Sequence, residues 1–139
     1  MFVLDASVAV AALLSEDRWS AASAILERLG SESAIAPGHW SLEVANVLAR
    51  ELRRERITVE ESVRLAVEVE RWGVLSDQET PLRALNRTLE LAAAHRLTSY
   101  DAAYLELCLR LSLPLATFDS QLADAARQSG VTLVMQAAA

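Results

Sequence analysis

The sequence contains no lysine; all 13 of its basic residues are arginine. That excludes a P-loop, a Schiff-base lysine and any phosphotransfer that depends on a lysine. Cysteine is nearly absent too. Cys108 stands alone, so no internal disulfide and no thiolate zinc site can form, and a reducing compartment fits. Glycine and proline number four and three and fall between periodic segments, so no linker, repeat or low-complexity stretch divides the chain. The longest apolar run, Val8 to Leu14, falls far short of the ~20 residues a bilayer crossing needs. Nor does the segment around it read as a signal peptide, because Asp5 sits inside that segment and no basic residue precedes Arg18. These features predict a cytoplasmic chain with no membrane partner. Positive charge is in deficit: 19 acidic against 13 basic residues leave a net charge of −6. Bulk electrostatics therefore oppose nucleic-acid binding, and any such contact must come from a local site.

What is present is apolar and patterned. The 139 residues are 53% hydrophobic, enough for one domain over 1–139 and too short for two independent cores. Phe2-Val3-Leu4 reads as a buried strand ending at Asp5, followed by a helix to Leu14. Trp19, Ala22, Leu26 and Leu29 recur at helical spacing, with Gly30 in the position of a C′ residue. Ala34 to Ala36 is a second strand, and a long helix follows from His39 to Arg54. Thr58 to Glu61 reads as a capping box that opens a helix with Val59, Val63, Ala66 and Val67 on one face. A strand over Val74 to Ser76 leads to Thr80-Pro81, an N-cap and N1 pair, and to a face of Leu82, Leu85, Leu89 and Ala93. Thr98 to Asp101 is a further capping box, before a helix to about Leu111. Strands at Leu115–Phe118 and Val131–Val134 flank a last helix, and Ala137 to Ala139 are expected to fray. Trp19, Trp40 and Trp72 are expected in the core or a dimer seam. Short apolar strands alternating with helices predict an α/β fold: three layers, α/β/α, around a mostly parallel sheet of four to five strands. In such sheets ligands bind beyond the carboxyl ends of the strands.

Carboxylates gather at those ends. Asp5 and Asp119 each terminate a strand, and each also has a simpler reading as an N-cap. Asp101 shares a helical face with Tyr104, Leu105, Cys108 and Ser112, opposite Glu106 and Arg110, and so points inward; its simpler reading is the acidic member of the capping box. Glu43 sits on a polar ridge of His39, Glu43, Asn46 and Arg50 beside the apolar stripe of Trp40, Val44, Val47 and Leu48, where a solvated Glu is the commoner outcome. Convergence of all four carries a cost. Two carboxylates about 4 Å apart repel by roughly 4 kcal/mol at an effective dielectric of 20. They must hold protons or share a hard divalent cation, and oxygen-only donors suit Mg2+ or Mn2+. Such an ion favours phosphodiester hydrolysis. Asp77 and Asp124 read as surface carboxylates, His39 as a helix-start surface residue, and Cys108 as buried apolar filler.

These motifs resemble the PIN-domain family, and more closely the VapC-type toxins of toxin–antitoxin pairs. FVLDASVAVAALL carries Asp5 and Ser7 in an Asp-x-Ser pattern; SLEVANVLAR carries Glu43 and Asn46; LTSYDAAYLELCLRLSLPLATFDSQLADAA carries Thr98, Asp101, Thr117 and Asp119. The similarity spans essentially the whole chain. It implies an Mg2+- or Mn2+-dependent endoribonuclease acting as a toxin, with Asp5, Glu43, Asp101 and Asp119 as the catalytic, metal-binding set. Ser7, Asn46, Thr98 and Thr117 would be supporting polar groups. It also implies a homodimer silenced by a cognate antitoxin. Arg50, Arg53 and Arg54, in the densest basic patch, read either as RNA-positioning groups or as a solvated helix end. The rival from another class is a catalytically idle module of the same fold that sequesters a protein or RNA partner. A response-regulator receiver needs a lysine that the chain lacks. An aspartyl-phosphate phosphatase of the dehalogenase class needs an Asp where Ser7 stands.

Overall fold

The computed structural model describes residues 1–134; the expected fraying at Ala137–Ala139 lies outside them. Four parallel strands form the sheet: β1 (Phe2–Leu4), β2 (Ala34–Pro37), β3 (Leu75–Asp77) and β4 (Leu115–Ala116), in the order β3-β2-β1-β4. The helices are α1 (Ala6–Leu14), α2 (Trp19–Leu26), α3 (Trp40–Arg53), α4 (Val59–Arg71), α5 (Thr80–Arg83), α6 (Leu89–His95), α7 (Ser99–Leu111) and α8 (Ser120–Gln128). A single π turn, Ala84–Thr88, joins α5 to α6. Among the described residues no helix is long and apolar enough to cross a membrane.

Burial explains the order of the sheet. The central strand β1 is fully buried along Phe2-Val3-Leu4, with Val3 paired to Ile35 on one side and Leu115 on the other. A strand buried on both faces reads as a continuous apolar run. Helix α7 packs across β1, β2 and β4 and is buried from Ala102 to Cys108. Because β1 and β4 run parallel, their carboxyl ends open on one side, bringing Asp5 and the Thr117–Asp119 segment together across 112 residues of chain.

Several expectations change. The fifth strand contracts to one bridge between Leu115 and Leu133, held by Leu115 N–H to the Thr132 carbonyl and Val134 N–H to the Leu115 carbonyl. Gly30 ends a 3-10 turn, Glu27–Gly30, and its φ lies outside the left-handed region, so it is no C′ residue. Thr80 lies inside α5, and its hydroxyl joins the β2–β3 rim instead, accepting from Gly38 N–H and donating to Asp77. Of the tryptophans, Trp40 is buried and Trp72 packs on the core, but Trp19 is 58% exposed. The apolar faces of Val59, Val63 and Val67 on α4 and of Leu82, Leu85 and Leu89 between α5 and α6 stay open to solvent. A helical wheel finds such faces but cannot say whether anything covers them.

The largest correction concerns charge. Asp77, read as a surface residue, is buried; so is Glu106, read as lying on the outer face of α7. Both close on Arg110, which donates to Asp77 Oδ2 at 2.7 Å, Glu79 Oε2 at 2.7 Å and Glu106 Oε1 at 2.8 Å. Burial works against ionised Asp77, but the hydrogen bonds from Arg110 and Thr80 outweigh it and hold its carboxyl below the usual range. Helix α7 therefore has no outer face at its middle, since α6 and the π turn cover it. Asp124 is exposed beside Arg127, as expected. Replacing Arg110 by Met should cost on the order of 3–5 kcal/mol, because two buried carboxylates lose their counter-charge. Arg127→Met breaks an exposed pair and should cost under about 1 kcal/mol. Urea unfolding of both variants checks this; equal small losses would show that the Arg110 cluster is not a structural tie.

Candidate active site

Each carboxylate of the cavity comes from a different element. Asp5 follows β1, Glu43 lies in the first turn of α3, Asp101 in the first turn of α7, and Asp119 caps α8. Together with Ala6, Ser7, Val10, Asn46 and Val47 they line one cavity of about 340 Å³ at the carboxyl end of the sheet. All four of the expected acidic residues therefore share one space.

Asp5 is the most constrained of them. It is 4% exposed, and its Oδ2 accepts two hydroxyls, Ser7 and Thr117, each at 2.6 Å. It makes no side-chain cap bond to α1, which removes the simpler reading of this residue. Burial pushes its carboxyl up to about 6; the Ser7 and Thr117 hydroxyls resist that shift, and the nearby Glu43 and Asp101 charges add to it. Ser7 Oγ also accepts from Phe118 N–H at 2.9 Å, and Thr117 Oγ1 accepts from Asp119 N–H at 3.0 Å. The two hydroxyls thus lock the β1 end to the β4 end.

Asp119 combines a structural bond with a place at the cavity wall. Its Oδ1 accepts from Leu122 N–H at 2.8 Å as the α8 cap, yet it borders the cavity. Asp101 is half-buried. Thr98 Oγ1 accepts from its N–H at 3.1 Å, one half of the expected box, while its carboxylate lines the cavity. Burial raises the Asp101 carboxyl above the usual range, with Asp119 and Glu43 adding to the rise and Thr98 and His39 opposing it.

Glu43 has a partner that sequence reasoning missed. The Tyr104 hydroxyl donates to its Oε1 at 2.5 Å. Tyr104 is fully buried, and burial raises its phenol far above the ordinary range, with the Asp5 and Glu43 charges adding to the effect. It is therefore a fixed donor. Its place three residues after Asp101, on the same helical face, was the available signal; read as core, it hid a polar tip. His39 is also more than a surface residue: Nε2 lies 3.2 Å from Glu43 Oε1 and 3.1 Å from the Tyr100 carbonyl.

The remaining expected residues divide. Asn46 borders the cavity, and Thr98 borders an adjoining groove. Arg50, Arg53 and Arg54 are exposed at the far end of α3 and do not line the cavity. Arg50 lies 3.7 Å from Glu51, which Arg56 approaches from 3.5 Å. Cys108 is buried, and burial pushes its thiol up to about 12, as apolar filler requires.

The donor set facing the cavity is oxygen alone, which fits a hard divalent cation. Among the described residues no group of three or more acidic, imidazole or thiolate side chains is drawn together closely enough to hold a metal ion by itself. An open array suits Mg2+ nonetheless, because that ion binds through one or two carboxylates and keeps water and phosphate oxygens in its other positions.

Comparison with known proteins gives a consistent result. The PIN domain model matches residues 2–128. Ribonuclease VapC12 of Mycobacterium tuberculosis is 33% identical over 130 residues, covering 89% of this chain and 91% of the relative. Ribonuclease VapC9 of the same organism is 30% identical over 136 residues, covering 96% and 98%. Ribonuclease VapC1 is 33% identical over 124 residues, covering 88% and 89%. The crystal structure of PAE2754 from Pyrobaculum aerophilum superposes with a TM-score of 0.68 at 23% identity, covering 89% of this chain and 84% of that one, a likeness of fold. On the family match and on these relatives, the chain belongs to the PIN-domain family and groups within it with the VapC ribonucleases.

Proposed function

We propose that this protein is a divalent-metal-dependent endoribonuclease and the toxin of a toxin–antitoxin pair. The observation that carries the reading is the meeting of Asp5, Glu43, Asp101 and Asp119, from four separate elements, in one cavity. A fold does not bury Asp5 against Glu43 and Asp101 for stability, since each charge opposes its ionisation. The ribonuclease relatives support RNA as substrate, and their VapC names support a cognate antitoxin as partner.

In this reading Asp5, Glu43, Asp101 and Asp119 are the carboxylates that would hold Mg2+ or Mn2+, directly or through its bound water. The ion, when bound, neutralises the carboxylates, polarises a phosphoryl oxygen and lowers the pKa of a water molecule. The chain's own groups do the positioning. Ser7 and Thr117 engage only Oδ2 of Asp5, leaving Oδ1 for the cavity. Tyr104 and His39 restrict Glu43 to one orientation, so it would meet a cation without reorganising. Asn46 is a neutral polar group at the cavity wall, and Thr98 secures the start of α7. Arg50, Arg53 and Arg54 serve at most to steer the RNA backbone from outside the cavity. The open valine stripe of α4 and leucine stripe between α5 and α6 support a homodimer and antitoxin contact, since exposed apolar faces of this kind mark association surfaces. The chain acts in the cytoplasm, where RNA and a reduced Cys108 coexist.

Three outcomes follow. Purified protein should cleave single-stranded RNA in Mg2+ or Mn2+ and stop when EDTA is in excess; equal cleavage in both conditions rejects metal dependence. Glu43→Gln should lose at least about 100-fold in kcat, as expected for a preorganised group at the reacting centre, while Glu51→Gln, which faces Arg50 and Arg56 instead, should lose less than about twofold. Similar losses in both would remove Glu43 from the site.

The third outcome concerns pH. Asp5 ionises near 3.8 in the unfolded chain and near 6 in the fold. Well below pH 3.8 it is protonated in both states and costs nothing. Between the two values the unfolded chain sheds its proton first, so stability falls as pH rises; above about pH 6 the loss is complete at about 3 kcal/mol. In EDTA, melting temperature should therefore drop across this window by on the order of 10 °C. Asp5→Asn should flatten the drop. A slope of the same size in that variant would show that Asp5 does not cause it.

A further inference from the structure

Beside the acidic cavity runs a second groove of about 540 Å³, lined by His39, Leu42, Glu43, Asn46, Thr98, Tyr100 and Asp101. Glu43, Asn46 and Asp101 border both spaces, so whatever occupies the groove is continuous with whatever reacts in the cavity. Its rim is apolar and aromatic in a way the fold does not explain. Tyr100 is 65% exposed and Leu42 73% exposed, although each lies within one turn of a carboxylate. The Tyr100 ring has an aromatic neighbour. His39 packs edge-on against it at 5.5 Å, and His39 Nε2 lies 3.1 Å from the Tyr100 carbonyl. Asn46, at the junction of the two spaces, makes no side-chain hydrogen bond among the described residues and so keeps both a donor and an acceptor available.

We propose that this groove is a nucleobase subsite, in which an unpaired base next to the scissile phosphate stacks on Tyr100 against Leu42 while Asn46 hydrogen-bonds its edge. The orientation of the strand rests on the nuclease reading above. The charge balance favours this occupant. With a net charge of −6 and four carboxylates at the site, the chain gains little from the RNA backbone, whereas stacking is indifferent to charge and every base has a π-face. The base must be unpaired, because a base inside a duplex offers no face to an outside ring. The subsite therefore selects single-stranded RNA or loops at the cut position.

The test measures two quantities on the whole protein. The first is binding of a short single-stranded RNA by fluorescence anisotropy in Ca2+, which occupies oxygen sites. The second is steady-state cleavage in Mg2+. Tyr100→Ala should weaken binding about tenfold and raise KM by a similar factor, with kcat changed less than about threefold; Tyr100→Phe keeps the ring and should match the wild type. An RNA with one abasic nucleotide beside the cut should bind the wild type about as weakly as intact RNA binds Tyr100→Ala, and the two losses should not add. Thermal melts confirm that Tyr100→Ala folds, as an exposed side chain allows. Unchanged binding and KM in Tyr100→Ala, or full additivity with the abasic RNA, overturns the subsite and leaves this face to a protein partner. A wild type that binds RNA without cutting it would reject the nuclease reading alone, since the binding ratios still decide the subsite.

Discussion

Repulsion among four carboxylates is the constraint around which this fold is organised. Asp5, Glu43, Asp101 and Asp119 border one cavity, and burial magnifies the cost of charge at Asp5 and Asp101. Such a cluster disperses unless its members are anchored individually. Asp5 is anchored by Ser7 and Thr117, Glu43 by Tyr104, and Asp119 through its cap bond to Leu122 N–H; Asp101 is set by the Thr98 cap of its own helix. The anchors are hydroxyls and a backbone N–H, with the His39 imidazole beside Glu43. They orient the oxygens without cancelling the charge, which preserves the attraction for a cation.

The positive charge of the interior is kept elsewhere. Arg110 ties Asp77, Glu79 and Glu106 into one cluster, some of it as deeply buried as Asp5. Direct pairing holds the Asp77 carboxyl below the usual range, while among the described residues no cavity carboxylate pairs with an arginine. The same molecule thus contains two acidic groups with opposite treatment: one neutralised as part of the structure, the other left uncompensated. An uncompensated buried carboxylate is the stronger sign of function, because a structural role gives no reason to retain its cost.

The parallel sheet makes this economy possible. Strands β1 and β4 end side by side, and the chain leaves each through a polar residue that enters the next helix. The Ser7–Asp5–Thr117–Asp119 network spans that junction, so core packing of Phe2, Val3, Leu4 and Leu115 places it without flexible loops. Helix α7 contributes twice, with Asp101 in its first turn and Tyr104 one turn on. Two groups of the site are therefore set by the same buried helix.

Sequence by itself determined the alternation of strands and helices, the ends at which Asp5 and Asp119 stand, and the inward face of Asp101. These follow from local periodicity and from short-range capping chemistry, which act over a few residues. The acidic set was legible for the same reason: each member lies at an element end or beside an apolar stripe. Tertiary structure alone decided which faces are covered. Asp77 looked solvated because no local pattern records the Arg110 that neutralises it across 33 residues of chain; Glu106 lies only one helical turn before Arg110, but no local pattern records that α6 and the π turn cover their face. Tyr104 looked like core because its hydroxyl partner, Glu43, sits 61 residues away. The stripes of α4 and of the α5–α6 segment looked like core and stay open to solvent. The fifth strand shrank to a bridge at Leu133 because strand length depends on how far a neighbour extends, and β4 is only two residues long. Pairing, burial and coverage are properties of segments far apart in the chain, and only their packing in three dimensions settles them.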